Sequence, residues 1–438
     1  PGVVKFLGLN GYSTSPYSTD WNNFGPRFGF AWKAFGSSST VVRGGYGIFF
    51  AHPFDAGVPN ANALGFSLSA ALNTPDNGIT APFYLRGGVP VQVTAPTLGD
   101  SFGAVPVGQN ANTAVTYFDH GRATGYSHQF NLGVQRQLPS QMVVEATMLG
   151  NLSRKLPDAS MSINQILPSL LSAQHSSQKD RPFPQFSDVS IVAPTLGVSN
   201  YYAGMVRIQK RYSHGLSFGA NYTFSKFLDN INDPGTVLGN EGGTYSNYFN
   251  RHADYGPSTN DVRSRVSFNW IYELPFGTGK RWLANNSLRH VVGGWSVGDV
   301  TTIQSGAPLT VTTQTNTCNC FSPGALRADV GADPNLSSGR SVSRWFNTAA
   351  FSQPAAYTFG NGGVGIVRAP GLVNFDFSLL RNFRVTERVR AELRGEFFNA
   401  FNHTNLGNPG QVLGSSSFGV ISGSGPARQI EVGARIVF

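Results

Sequence analysis

Few residues of this 438-residue chain have types and spacings that could carry chemistry. Cys318 and Cys320, the only cysteines, stand one residue apart. Two thiols are too few to close a tetrahedral metal site without outside ligands, so the spacing favours a local disulfide over a metal. Gly360, Gly362 and Gly365 spell the G-x-G-x-x-G of dinucleotide-binding turns. That motif needs a strand before it and a helix after it, and here it lies in a long irregular segment, so no nucleotide site is read from it. His52, His120, His128, His175, His252 and His403 fall in or near such segments without paired ligand spacing, which points away from a metal centre. No nucleophile–base–acid arrangement is legible, so neither catalysis nor a cofactor is expected.

What remains is charge. Asp261, Arg263 and Arg265 stand where a loop enters an alternating stretch, with Asp254 nearby. Arg390, Glu392, Arg394 and Glu396 occupy every second position between Val389, Ala391, Leu393 and Phe397. Glu431 and Arg435 do the same among Ile430, Val432, Ala434, Ile436 and Phe438. A period of two places each set on one face of a strand and the apolar set on the other.

The elements that position these charges are therefore strands, and composition agrees. Charged residues make up 13% and aromatic residues 12%, with 33 Phe and 52 Gly. That is poor in helix formers and rich in strand and turn formers. No apolar run approaches the roughly 20 residues of a spanning helix. Strands that alternate never produce such a run, so a membrane barrel stays open. The formal charge of +9 is spread over 32 scattered Lys and Arg without a dense run, and no nucleic-acid module is present. Contact with anionic lipopolysaccharide or an acidic solute is a second reading of that charge.

Alternation predicts eleven strands, at 25–33, 41–50, 126–138, 141–149, 202–212, 216–226, 262–274, 293–303, 372–383, 388–399 and 428–438, with residues 3–9 a candidate twelfth. The connections alternate between short (34–40, 139–140, 213–215, 275–292, 384–387) and long (51–125, 150–201, 227–261, 304–371, 400–427). Transmembrane barrels have this asymmetry, with short periplasmic turns and long extracellular loops. A soluble antiparallel sheet with one wet face matches the pattern locally but gives no reason to gather every long loop at one end. Charge on the lipid side would cost about 2–4 kcal/mol per basic residue at mid-bilayer, so the charged rows are expected to face a polar lumen. The fold expected is all-β, a transmembrane antiparallel up-and-down barrel.

Several stretches carry a family resemblance: PRFGFAWKAFG (26–36), TVVRGGYGIFF (40–50), ANYTFSKFLDN (220–230), DYGPSTNDVRSRVSFNWIYELPFG (254–277) and NFDFSLLRNFRVTERVRAELRGEFFNAFNHTNLGNP (374–409). They resemble the C-terminal half of TonB-dependent outer-membrane receptors, and more narrowly the Oar-like group. The resemblance implies that residues 1–438 are the C-terminal part of a barrel of the 22-strand class with a plugged lumen. No plug or energy-coupling box is read in these residues. A start at Pro1 without a signal segment also suggests a piece of a longer protein. The implied function is active uptake of a scarce, unidentified solute across the cell outer membrane. A passive porin-like channel or a surface adhesion protein is the alternative. Implied partners are outer-membrane lipid and lipopolysaccharide, the TonB complex acting through the missing plug, and the barrel assembly machinery. In this reading the C-terminus is periplasmic and Phe438 serves as an assembly signal. Asp261, Arg263, Arg265, Arg390, Glu392, Arg394, Glu396, Glu431 and Arg435 are expected to face the lumen.

Overall fold

The computed structural model describes residues 7–51, 72–90, 114–231, 246–384 and 389–437, apart from positions 16, 37, 38, 75, 77, 118, 159, 286 and 323. Eleven long strands form one antiparallel sheet: β1 (Arg27–Lys33), β2 (Thr40–Phe50), β3 (Tyr126–Leu138), β4 (Met142–Leu156), β5 (Gly197–Ser213), β6 (Leu216–Asp229), β7 (Ser264–Glu273), β8 (Trp295–Gln304), β9 (Leu372–Arg384), β10 (Arg390–Phe398) and β11 (Gln429–Val437). Each pairs with its neighbours in sequence, and Gly256–Pro257 adds a short twelfth strand beside β6. Among the described residues β1 pairs with β2 alone, and β11 with β10 alone.

Short and long connections alternate along the sheet. Two of the short ones are built on successive positive φ angles, at Ser140 and Gln141 (58° and 60°) and at His214 and Gly215 (53° and 81°). Turns of that hand match the right-handed twist of the strands they join.

Residues paired across an antiparallel ladder project from the same face, so the register fixes both faces of the whole sheet. One face carries Phe28, Phe30 and Trp32 of β1, then Leu132, Val134, Val206, Tyr222, Phe224, Leu393, Ile430 and Ile436 further along. These side chains are exposed, from 38% at Leu393 to 69% at Phe28, so the apolar face covers no protein core. The other face carries Arg43, Gln135, Glu145, Arg207, Asn269, Asp376, Arg394 and Glu431. The exceptions are informative. On the apolar face Arg136, Lys210 and Arg381 stand near the short-turn ends of their strands and Lys226 near a long-loop end, where long side chains reach water.

Strands β4 and β5 overrun most what alternation alone predicts. Gly150 interrupts the apolar row of β4, yet the ladder continues to Leu156 and is answered by β5 from Gly197. Phe130, the register partner of Gly150, fills the space of the absent side chain, so a Cβ there would meet its ring at 2.2 Å. Leu7 to Leu9 form a turn, not part of a twelfth long strand, and residues 3–6 of that candidate lie outside the described residues.

The core sits elsewhere. Leu309, Val311, Ala328, Phe346, Ala350, Phe351, Val367 and Ala369 form a buried cluster within 305–371, a segment that sequence alone predicts as irregular. Phe346 packs edge-on against Phe351 (5.7 Å) and against Phe418 (5.2 Å), which comes from the next long connection. No period announces this core, because its residues come from turns and two-residue strands such as Pro308–Leu309 and Val367–Arg368.

Candidate functional site

The described residues of four long connections (157–196, 230–263, 305–371 and 399–428) join into one cap at the same end of the sheet. Backbone bonds cross between them: Ile166 N–H donates to the Cys320 carbonyl at 3.4 Å, Gln314 N–H to Leu413 at 2.9 Å, and Trp345 N–H to Gly419 at 2.9 Å. Cys318 and Cys320 form a disulfide with both residues wholly buried, beside Leu326, Leu171 and Phe359. The glycine motif serves packing. Gly362 N–H donates to the Ala328 carbonyl at 3.0 Å, and a Cβ on Gly360 would fall 1.9 Å from the Arg327 carbonyl.

Charge is buried inside the cap and compensated there. Asp254 is 6% exposed and takes Arg251 at 2.9 Å and Arg327 at 2.8 Å, while Arg251 also pairs with the buried Asp158. Arg181 is 6% exposed and pairs with Asp188 at 3.1 Å, and it donates to the Asn164 carbonyl at 2.6 Å. Losing one partner of such a pair costs several kcal/mol, because the other is left charged and unpaired. Asp180 lies in an exposed turn, where the Ser177 hydroxyl, then His175 and the Ser177 amide, bring its carboxyl down from 3.8 to about 2.

The residues predicted to carry charge separate into two groups. Asp261 is 1% exposed at the top of β7, accepts from the Phe227 amide at 2.7 Å and pairs with Arg368 from the cap. Arg263 and Arg265 are exposed beside it, and neither is its ion-pair partner. Arg390, Glu392, Arg394, Glu396, Glu431 and Arg435 lie on one face of β10 and β11. Glu392 is in register with Arg435, and Arg394 Nε lies 3.7 Å from Glu396. Phe438 lies outside the described residues.

Sequence reading passed over Arg43, Glu145, Arg207 and Arg211, which line a single groove on the polar face. Alternation assigns these residues to that face, but only the register of four strands brings them together. It also passed over a cavity of ≈ 290 Å³ at the long-loop rim, lined by Tyr17, Asp20, Asn23, Arg122 and Thr124 among others. There the Thr124 amide donates to Asp20 at 3.0 Å and holds its carboxyl below the usual range, and the Arg122 guanidinium lies over the Tyr17 ring. These groups give the rim a polar, hydrogen-bonding wall open to solvent.

Asp299 breaks the pattern in mid-strand. Its register partners are Trp270 and Phe377, so it belongs to the apolar face, and it is 5% exposed. Oδ2 accepts from Thr301 Oγ1 at 2.7 Å, and Oδ1 has no hydrogen-bond partner among the described residues.

Strands of nine residues or more, which β2–β11 all are, reach across a bilayer when tilted. A wide apolar face that covers no core among the described residues is what lipid requires and water penalises. Similar solved structures include the outer membrane transporter YddB from Escherichia coli (10% identity, TM-score 0.47, covering 94% of this chain and 40% of that one). The siderophore receptor PiuA from Acinetobacter baumannii (8%, 0.41, 94% and 35%) and the FrpB iron transporter from Neisseria meningitidis (9%, 0.42, 94% and 39%) are also similar. The chain therefore spans two fifths or less of the length of these structures. A search of curated protein sequences found no match. The family model described as outer membrane beta barrel domain matches residues 1–431, and the chain belongs to that family.

Proposed function

We propose that this chain is the C-terminal part of the barrel wall of a TonB-dependent receptor of the Oar-like group, taking up a scarce solute. In this reading the apolar face meets lipid and lipopolysaccharide, and the polar face lines the lumen. The cap stands on the extracellular side, and the short turns and the C-terminus are periplasmic. The plug and the contact with the energy-coupling complex belong to parts of the protein outside residues 1–438, and Phe438 is read by the assembly machinery. The observation that carries this reading is the inverted packing. Along the wall the large side chains are exposed, Val432 at 86% and Met148 at 70%, while the buried hydrophobic clusters sit in the cap. A solute would first meet the rim cavity with Asp20 and Arg122. The packed cap also supports a second reading, a surface protein that binds a partner through its loops and transports nothing.

Spin labels test the wall. In the full-length protein in membranes, a label at Val432 should be relaxed by oxygen and one at Glu431 by a water-soluble nickel chelate. Equal accessibility at the two positions would remove the lumen–lipid assignment. Uptake by the full-length protein, screened across siderophores, glycans and peptides, separates transport from adhesion.

A further inference from the structure

The two flanks of the polar face differ in charge balance. On β10 and β11, Arg390, Arg394 and Arg435 are answered by Glu392, Glu396 and Glu431, with a register pair and a close contact between opposite signs. That flank neutralises itself. On β2 to β5 the groove of ≈ 270 Å³ is lined by Arg43, Arg207 and Arg211 and by one carboxylate, Glu145, with Gln135 and Gln209 between them. It continues past Gln137, Gln141 and Ser39 toward the short-turn end of the sheet. Glu145 and Arg207 are register partners, but they do not close on each other. Arg207 Nη2 donates to Gln209 Oε1 at 3.2 Å, and Glu145 accepts from Thr147 at 3.4 Å. Three positive charges less one negative leave two uncompensated in one concavity.

We propose that this groove binds a small dianion, a solute presenting closely spaced anionic oxygens of phosphate or carboxylate type. Guanidinium forks bind such oxygens bidentately, and primary amides add neutral donors between them. A low-dielectric wall concentrates the positive potential of the cleft and raises the local anion concentration. A dianion neutralises the excess charge. A neutral or cationic solute would leave it standing. With the polar face read as the lumen, the groove is a subsite on the solute's path, and this role rests on the function proposed above. The binding itself does not depend on it.

The test is calorimetric titration of the full-length protein in detergent at low salt and pH 8, with inorganic phosphate and with succinate, both dianions there, as separate probes. At least one should bind, and the one that does identifies the oxygen type. Arg43→Gln and Arg207→Gln should each weaken binding about tenfold, the scale of one charge-assisted hydrogen bond. Glu145→Gln should tighten it severalfold, an effect that misfolding cannot produce. Arg394→Gln, on the neutralised flank, should leave it unchanged. The proposal is overturned if neither probe binds, if Arg394→Gln weakens binding as much as Arg207→Gln, or if Glu145→Gln weakens it. It is overturned also if a tetra-aspartate peptide binds and the small anions do not, which would make the groove a docking site for a protein segment. If the spin labels instead place Glu431 against lipid, the lumen reading fails while anion binding stands.

Discussion

Phe346→Ala tests whether the cap is one cooperative unit. Phe346 is 2% exposed and stacks edge-on against two rings, Phe351 from its own connection and Phe418 from the next. Truncating a buried Phe costs about 3–5 kcal/mol, and each edge-on pair accounts for roughly 0.5–1.5 kcal/mol beyond area burial. At about 1.4 kcal/mol per tenfold, the opening equilibrium of the cap should rise by roughly two to three and a half orders of magnitude. The assay is hydrogen–deuterium exchange of the chain in detergent. Amides that bridge connections, Trp345 to the Gly419 carbonyl and Ile421 to Val342, should lose protection together with Ala328, whose amide donates to Val311. Amides of the ladder between β7 and β8 should keep theirs, because the wall makes no use of this core. If protection falls only within 305–371 and Ile421 is unchanged, the connections fold separately and the single-cap reasoning is refuted.

Two further outcomes follow from buried or held carboxylates. Asp299→Asn should raise the stability of the folded wall in detergent by about 1–2 kcal/mol, because a charged group with one unpartnered oxygen is replaced by a neutral one on an apolar face; a loss of stability in urea unfolding would show that the charge is used. Asp180, held by Ser177 and His175, should titrate near about 2 in an NMR pH series, below its ordinary 3.8. Because the folded value is depressed, the turn's stabilisation is complete above the unfolded value and is lost as pH falls through the folded one; a midpoint at the ordinary value would refute the capping geometry.

The wall was legible because each strand carries its own evidence. In β6, Leu216, Phe218, Ala220, Tyr222 and Phe224 alternate with polar or small residues, and no distant residue is needed to see it. Failures came where local pattern and tertiary contact part. Gly150 looks like a strand end until Phe130 is seen above it. Phe346 and Phe418 carry no shared period, since what unites them is a fold of turns. Asp261 is visible as a charge, but its partner Arg368 lies 107 residues away and cannot be read from spacing. The polar groove is intermediate: Arg207 and Gln209 are assigned to a face by alternation, and only the register brings Arg43 to them.

Phe418 places one central ring of the cap core in the last long connection, after β9 and β10. Neighbouring wall strands pair in chain order, so the sheet can grow one hairpin at a time with short loop closures. The cap core cannot keep that schedule. Phe346 and Phe351 of segment 305–371 are covered only when Phe418 packs on them, and β9 and β10 carry the chain to that ring, so the cap core cannot close without them. A consolidated cap thus reports that β9 and β10 are in place. An antibody that recognises the packed cap would therefore distinguish finished molecules from those halted before β10.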